Sequence, residues 1–205
     1  MSAVNDLIVR EYFEAQGFLV SQPCKYSSQG RAKHLEEEID LVVFNPHNRV
    51  PAISGQMIWT GDDLKGVQGA VVAVRGWHSE RFSMATFANM PELLRFADAD
   101  VVKKAAVKLG TTEVAKILCL TQLPASGDLK AKTLEFLKSR GVDGILSFRQ
   151  MLVELLGDLQ LNHNYDKSDV LQMLRILKSS GLIRDNQMEL FPAIKARRKT
   201  RVPQP

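Results

Sequence analysis

Two carboxylates stand where a charge is costly to bury, and they are the first candidates for chemistry. At about 100° per residue, Glu11 falls near the middle of the apolar side of the first predicted helix, between Leu7 and Ala15. Asp40 interrupts the apolar strand sequence IDLVVF. Burying an unpaired carboxylate costs several kcal/mol, so such an acid is normally paired, hydrogen-bonded or bound to a metal. A structural ion pair explains either acid alone, whereas the two acids together favour a catalytic or metal-binding site.

The chemistry that fits two such acids is metal-dependent hydrolysis of a phosphodiester. Hard cations such as Mg²⁺ prefer oxygen ligands, and the reaction needs acids that converge on the metal and a cation near the attacking water. A helix acid, a strand acid and an acid-x-lysine sequence on the neighbouring strand would supply this arrangement. The decisive residues are therefore expected on the strand beside Asp40.

The elements that must position these acids follow from the spacing of apolar residues. A helix is predicted over 4–16, and strands are predicted at FLVSQPCKY, EEEIDLVVFNP, GAVVAVRGW, AKILCLTQLP and GVDGILSF. Further helices are predicted over 91–109 and 129–139, with a short strand in QMIWT. GAVVAVRGW is apolar on both faces, which predicts a central position in the sheet. The order α-β-β-β-α-β-α-β predicts an α/β fold, a mixed sheet with helices on both sides.

The composition changes after Phe148, where the predicted strands stop. Helices are predicted over 149–160 and from a cap at Ser168 to about 179, and LIRDNQMELF predicts a small hairpin. We therefore predict a main domain over 1–148, a helical extension over 149–191 and a basic, disordered tail over 192–205. The extension is compatible with a winged helix. An amphipathic helix pair that packs on the main domain or on a second subunit fits it equally well.

The first helix with its acid, the strand EIDLV and the strand VVAVRGW followed by a helix resemble the PD-(D/E)XK nuclease superfamily, the restriction-endonuclease-like fold. The resemblance covers roughly residues 5–150. It implies a restriction-endonuclease-like mixed sheet and a Mg²⁺-dependent endodeoxyribonuclease site that includes Glu11 and Asp40. The stretch NHNYDKSDVLQMLRILKSSGL also resembles the helical tail that follows this core in such proteins.

The third strand departs from the pattern of this superfamily. An active member would carry a glutamate or an aspartate two residues before a lysine, and here those positions are Ala73 and Arg75. Ala73 supplies no metal ligand. Arg75 keeps the positive charge and can bind a phosphate bidentately, but it cannot release a proton. Because the loss of a catalytic acid or base typically costs about 10²- to 10⁴-fold in rate, the site is predicted to be degenerate.

Three side chains are candidates to replace what the third strand lacks. Glu38 lies two residues before Asp40 on the same strand face and offers a second oxygen to a cation, although a polar start of the strand explains Glu38 more simply. Lys103 and Lys104, on the following helix, would substitute for the missing lysine. A solvated helix face is the simpler interpretation of these two lysines.

The stretch GWHSERFS, just past the third strand, forms the rim where the site of the superfamily would open. The predicted nucleic-acid-binding residues are Trp77, His78 and Arg81 of this rim, together with Arg75. Their side chains would contact phosphate or stack on a base. A buried tryptophan and a surface histidine are the structural alternative.

The net charge of +4 does not by itself predict a DNA-binding surface. Residues 192–205 carry five positive charges and no acid, so residues 1–191 have a net charge of −1, that is +4 minus 5. No apolar stretch approaches the roughly 20 residues of a membrane span, and the first residues lack the pattern of a signal peptide. A cytoplasmic location without membrane association is predicted. Cys24 and Cys119 have neither disulfide nor zinc spacing.

Three functional interpretations follow from these residues. The first is a nuclease-like nucleic-acid-binding protein, with DNA favoured, whose degenerate site cleaves feebly or not at all and needs no cofactor. The second is an active Mg²⁺-dependent DNA endonuclease with Glu11, Asp40 and Glu38 as metal ligands and Arg75 near the scissile phosphate. The third is a non-catalytic structural or regulatory homodimer.

Overall fold

The structure, a computed structural model, describes residues 3–23, 39–48, 52–76, 81–184 and 187–188. The chain divides into two compact units, Met1–Leu155 and Leu156–Pro205. Three of the predicted site residues lie outside the described residues, namely Glu38, Trp77 and His78, and so do Cys24 and the basic tail over 192–205.

The first unit is built on a five-stranded mixed sheet, and the predicted α/β fold with helices on both sides of the sheet is confirmed. The strands follow one another across the sheet in chain order: β1 (Leu19–Ser21), β2 (Leu41–Phe44), β3 (Gly69–Arg75), β4 (Val114–Leu120) and β5 (Gly144–Ser147). The pairs β1–β2 and β2–β3 are antiparallel, whereas β3–β4 and β4–β5 are parallel. The predicted central position of GAVVAVR is confirmed, because all seven residues of β3 are buried between two strands on either side.

Six α-helices and one 3-10 helix belong to the described part of this unit or begin in it. They are α1 (Ala3–Ala15), α2 (Gly61–Leu64), α3 (Met84–Asn89), the 3-10 helix Pro91–Ala97, α4 (Ala99–Leu109), α5 (Gly127–Ser139) and α6 (Phe148–Asp158). The single helix predicted over 91–109 is wrong. Asp98 has an extended backbone (φ −63°, ψ 141°) that separates the 3-10 helix from α4, and aspartate is a preferred residue at such a helix start.

Helix α1 buries a different side from the one that its apolar spacing predicts. Val9, Tyr12 and Phe13 are fully buried, whereas Val4 is 57% exposed and Leu7 is 45% exposed. The two aromatic rings decide the orientation because they remove the largest apolar area from water. The predicted sheet-facing arc is therefore wrong, and Glu11, which lay at its centre, is only half-buried.

A tryptophan beside β5 closes the far edge of the described sheet. The strand predicted in QMIWT is reduced to an isolated parallel bridge between Ile58 and Ile145. Trp59 is fully buried, and its indole Nε1 donates to the carbonyl of Gln56 at 2.7 Å. A Cβ at Gly144 would come within 2.2 Å of the Trp59 ring, so the close approach requires glycine at this position.

The second unit contains α7 (Asp169–Ser179) and a two-stranded antiparallel ladder of β6 (Ile183–Arg184) and β7 (Gln187–Met188). The predicted cap is confirmed, since Ser168 Oγ accepts a hydrogen bond from the backbone N–H of Leu171 at 3.1 Å. Lys178 Nζ donates to the carbonyl oxygens of Leu156 and Leu159 at 2.6 and 3.2 Å. The helix and hairpin predicted for this part of the chain are confirmed.

No helix in the described part of the chain has the length and apolar character needed to cross a bilayer.

Candidate functional site

Asp40 and Arg75 form a buried ion pair at the carboxyl end of β3. The antiparallel pairing of β2 with β3 brings them together, and Arg75 Nη1 lies 2.6 Å from Asp40 Oδ2. The same carboxylate oxygen accepts the backbone N–H of Val74 at 2.7 Å. Arg75 also donates from Nη1 to the carbonyl of Val74 at 3.0 Å and from Nε to that of Leu93 at 3.3 Å. Because the two side chains are only 8% and 9% exposed, the pair is part of the protein interior.

Ala73 lies next to this pair and leaves it without a second carboxylate on β3. The pairing of β2 with β3 ends at Leu41 and Val72, and the backbone N–H of Asp40 donates to the carbonyl of Val72, the residue before Ala73, at 3.1 Å. Ala73 is fully buried, and its methyl group offers no oxygen to a cation. The two acid-x-lysine positions therefore hold a buried methyl group and a guanidinium that is already paired.

The acid of α1 that interacts with this pair is Asp6. Asn5 Nδ2 donates to the carbonyl of Gly76 at 2.7 Å, which fixes the first turn of α1 at the carboxyl end of β3. Burial raises the pKa of Asp6, and repulsion from Asp40 raises this pKa further, while Arg75 acts in the opposite direction. Asp6 Oδ1 is buried and has no hydrogen-bond partner among the described residues. The ionised form of Asp6 is therefore disfavoured in the fold, and this carboxylate interacts electrostatically with the ion pair.

Glu11, the helix acid singled out from the sequence, is not part of this arrangement. It lies five residues after Asp6 on α1, which corresponds to about 140° around the helix axis. Among the described residues, the side chain of Glu11 makes no hydrogen bond or ion pair. Sequence reasoning missed Asp6 because an acid in the first turn of a helix is the ordinary complement of the helix dipole. The adjacent Asn5, a side chain able to tie that turn to a strand end, was the available signal.

The donor set around Asp40 does not fit Mg²⁺, the cation that the resemblance implies. Mg²⁺ requires near-octahedral coordination by oxygens, and Asp40 Oδ2 is already shared by a guanidinium and a backbone N–H. Among the residues that the structure describes, no group of three or more His, Cys, Asp or Glu side chains could hold a metal ion. The guanidinium of Arg75 instead supplies the positive charge that neutralises the carboxylate.

The thiol of Cys119, on β4 beside the ion pair, is not a nucleophile. Cys119 is fully buried, and its burial raises the pKa of the thiol far above the usual range, with a smaller contribution from Asp40. A thiol that stays protonated is unreactive, since the thiolate is the nucleophilic form. Cys119 is a core residue, as its apolar strand predicts.

A basic cleft of about 310 Å³ opens at the same end of the sheet, outside the carboxyl ends of β4 and β5. In open α/β sheets this is the usual position of a ligand site. The backbone N–H of Phe82 donates to the carbonyl of Gln122 at 3.0 Å, and this bond holds the segment after β3 against the segment after β4. The cleft is consequently assembled from three connections that all leave the sheet at one edge.

The described residues that line the cleft include three cations and no acid: Arg81 from the segment after β3, Lys130 from α5 and Arg149 from α6. Arg81 and Arg149 are exposed, and none of the three has a carboxylate partner among the described residues. Of the predicted nucleic-acid-binding residues, Arg81 lies here, whereas Arg75 is buried. Sequence reasoning missed Lys130 and Arg149 because they come from helices more than 50 residues along the chain from the third strand, and no local pattern marks them.

Lys103 and Lys104 lie elsewhere, on α4. Both side chains are exposed, and neither lines the cleft. Their placement agrees with the interpretation of a solvated helix face.

Comparison with known proteins adds no assignment, because no protein-family model, no curated protein and no solved structure matches this chain.

Proposed function

We propose that this chain is a nuclease-like protein that binds nucleic acid, DNA in preference, in the cytoplasm, and that its degenerate phosphodiesterase site cleaves it feebly or not at all. The observation that carries the proposal is the closed ion pair between Asp40 and Arg75, at the strand end where the superfamily would hold a metal. Further support comes from the element order, in which a helix and three antiparallel strands precede two parallel strands.

The ion pair opposes catalysis for two physical reasons. A buried carboxylate that is bound by a guanidinium has given up the oxygen that a metal would need. A guanidinium also stays protonated at any physiological pH, so Arg75 cannot act as a base toward an attacking water. In such a protein the arrangement of strands and helices is retained, whereas metal-dependent cleavage is lost.

Binding, in contrast, needs only accessible positive charge. Arg81, Lys130 and Arg149 supply three cations at one cleft that have no carboxylate partner among the described residues, and phosphate contacts from such side chains provide most of the affinity of proteins for nucleic acid. The second unit adds a helix followed by a hairpin, the order expected of a winged-helix element, which agrees with a nucleic-acid-binding extension.

The homodimer interpretation is favoured by one observation. Met173 and Ile176 of α7 are 62% and 52% exposed, which gives the second unit apolar surface that a partner copy would cover. The active-endonuclease interpretation depends on Glu11, Asp40 and Glu38; Glu11 lies apart from the buried cluster around Asp40, and Glu38 lies outside the described residues.

The test measures binding and cleavage on the full chain. Fluorescence anisotropy with labelled DNA, repeated at several salt concentrations, should show affinity that falls steeply with salt, while incubation with Mg²⁺ or Mn²⁺ leaves the DNA intact. Metal-dependent cleavage that is lost in Asp40→Ala would replace the proposal with the active enzyme. If neither binding nor cleavage is measured, and ultracentrifugation shows a dimer, the structural homodimer is correct.

A further inference from the structure

We propose that the basic cleft binds the terminal phosphate of a DNA strand, a phosphomonoester, in preference to the internal phosphodiesters of the strand. The inference rests on the proposed nucleic-acid function and names the part of the ligand that the cleft recognises.

The charge of the lining favours a group with two negative charges. Arg81, Lys130 and Arg149 converge on one cleft, and no acid is among the described residues that line it. A phosphodiester carries one negative charge, whereas a phosphomonoester carries close to two at neutral pH. Because each cation attracts the additional charge, the monoester gains an interaction with all three side chains at once.

A buried hydroxyl in the lining has no partner and suits a phosphate oxygen. Thr121, the first residue after β4, lines the cleft, and its Oγ1 is buried without a hydrogen bond to any described residue. An unsatisfied buried hydroxyl is destabilising, and a rotation of the Thr121 side chain that turns Oγ1 into the cleft would let a ligand oxygen accept its proton and remove that penalty. The ammonium and guanidinium groups that surround it have only donors, so the ligand must bring acceptors. A phosphate oxygen meets this requirement.

The size and walls of the cleft favour a strand end over a continuous duplex. A volume of about 310 Å³ lies at the lower limit for small-molecule sites, about 300 Å³, so the cleft holds one phosphate and little more than the sugar attached to it. Ile58 and Leu123 form apolar parts of the wall, which a sugar can contact and a second phosphate would avoid. A strand terminus offers this combination, whereas an internal phosphate has a charged neighbour on each side.

The test compares 12-nucleotide single strands that differ only in their termini. Strands with a 5′-phosphate, a 3′-phosphate or hydroxyls at both ends are titrated by fluorescence anisotropy, with the label placed at the end opposite the phosphate. At least one phosphorylated strand should bind about tenfold more tightly than the hydroxyl strand, and the two phosphorylated strands distinguish which terminus is recognised. Equal affinity for all three strands would overturn the inference and leave the proposed function intact.

The variants assign the preference to the cleft. Lys130→Gln and Arg149→Gln should each reduce the tenfold preference to about twofold or less, while Lys103→Gln and Lys104→Gln, matched charge losses on the exposed face of α4, should retain it. A preference that survives both cleft variants places the phosphate elsewhere and contradicts the inference. Circular dichroism confirms that each variant is folded.

A separate measurement distinguishes failure of this inference from failure of the proposed function. Calorimetric titration with a deoxynucleoside 5′-monophosphate and a deoxynucleoside 3′-monophosphate probes the cleft without a nucleic acid. If no DNA binds but a monophosphate does, and Arg149→Gln abolishes that binding, the proposed function is wrong and the phosphomonoester site stands. If neither DNA nor monophosphate binds, both proposals are wrong.

Discussion

Removal of the guanidinium at the end of β3 should destabilise the first unit far more than the loss of a surface charge does. In Arg75→Met, the aliphatic part of the side chain is kept and the charge is lost. Asp40 then remains in a site where it is 9% exposed, with the backbone N–H of Val74 as the donor left to it among the described residues and with Asp6 repelling it. Asp40 becomes an uncompensated buried charge.

The magnitude follows from this geometry. Breaking one side of a buried ion pair costs about 3–5 kcal/mol, and the retained bond from Val74 to Asp40 favours the lower end, about 3 kcal/mol. For a chain of this length, that loss lowers the melting temperature by about 6–12 °C. The double variant Asp40→Asn/Arg75→Met should recover most of it, to within about 1 kcal/mol of the natural protein, because no charge is left unpaired.

Urea unfolding followed by far-UV circular dichroism measures these differences in a double-mutant cycle. The matched control is Arg10→Gln, which breaks the ion pair between Arg10 Nε and Glu14 Oε1 at 2.8 Å, where both side chains are more than one-third exposed. This control should change the free energy of unfolding by less than about 0.5 kcal/mol. If Arg75→Met costs no more than Arg10→Gln, or if adding Asp40→Asn gives no recovery, the closed ion pair is not what holds this strand end together.

Three further predictions concern Asp6, Gly144 and the addition of Mg²⁺. Asp6→Asn should raise the melting temperature at pH 7 by about 2–4 °C, because burial raises the pKa of Asp6 and the fold therefore disfavours its ionised form; the gain should shrink as the pH falls through this raised pKa and be lost once the pH is below the ordinary aspartate value of about 3.9. Gly144→Ala should cost about 1–3 kcal/mol in urea unfolding since its Cβ meets the Trp59 ring, whereas Gly157→Ala, with nothing within 4 Å, should cost nothing. Addition of Mg²⁺ should leave the melting temperature unchanged, and a saturable rise would reveal a bound cation.

The strands could be predicted because composition alone marks them. β3 and β4 are continuous apolar runs bounded by polar or turn residues, and a central parallel strand requires that pattern. The break at Asp98 could not be read in the same way, since 91–97 and 99–109 carry one continuous helical spacing and an aspartate is tolerated on an exposed helix face. Only the extended backbone of Asp98 separates the two helices.

The site residues also differ in how far the sequence alone could predict them. The resemblance implies that Asp40 and Arg75 share one pocket, and the structure has their charged atoms 2.6 Å apart. Glu11 was chosen because the apolar residues around it, Tyr12 among them, set one face of α1, but the buried side of the helix runs from Tyr12 through Val9 to Phe13 and leaves Glu11 at its margin. Which of two apolar faces a helix buries depends on the elements that pack against it. The spacing of apolar residues along the sequence does not contain that information.

Arg75 and the three cations of the cleft lie at the same end of the sheet, but only the charge of Arg75 is explained by its contribution to the stability of the fold. The charge of Arg75 is neutralised inside the protein by Asp40, so it contributes to folding. Arg81, Lys130 and Arg149 have no such partner among the described residues, and three like charges around one cleft repel one another. A fold gains nothing from that repulsion by itself. An anion that enters the cleft converts the repulsion into attraction, and by mass action it stabilises the state that binds it. The unpaired cations are therefore better explained by a ligand than by the fold.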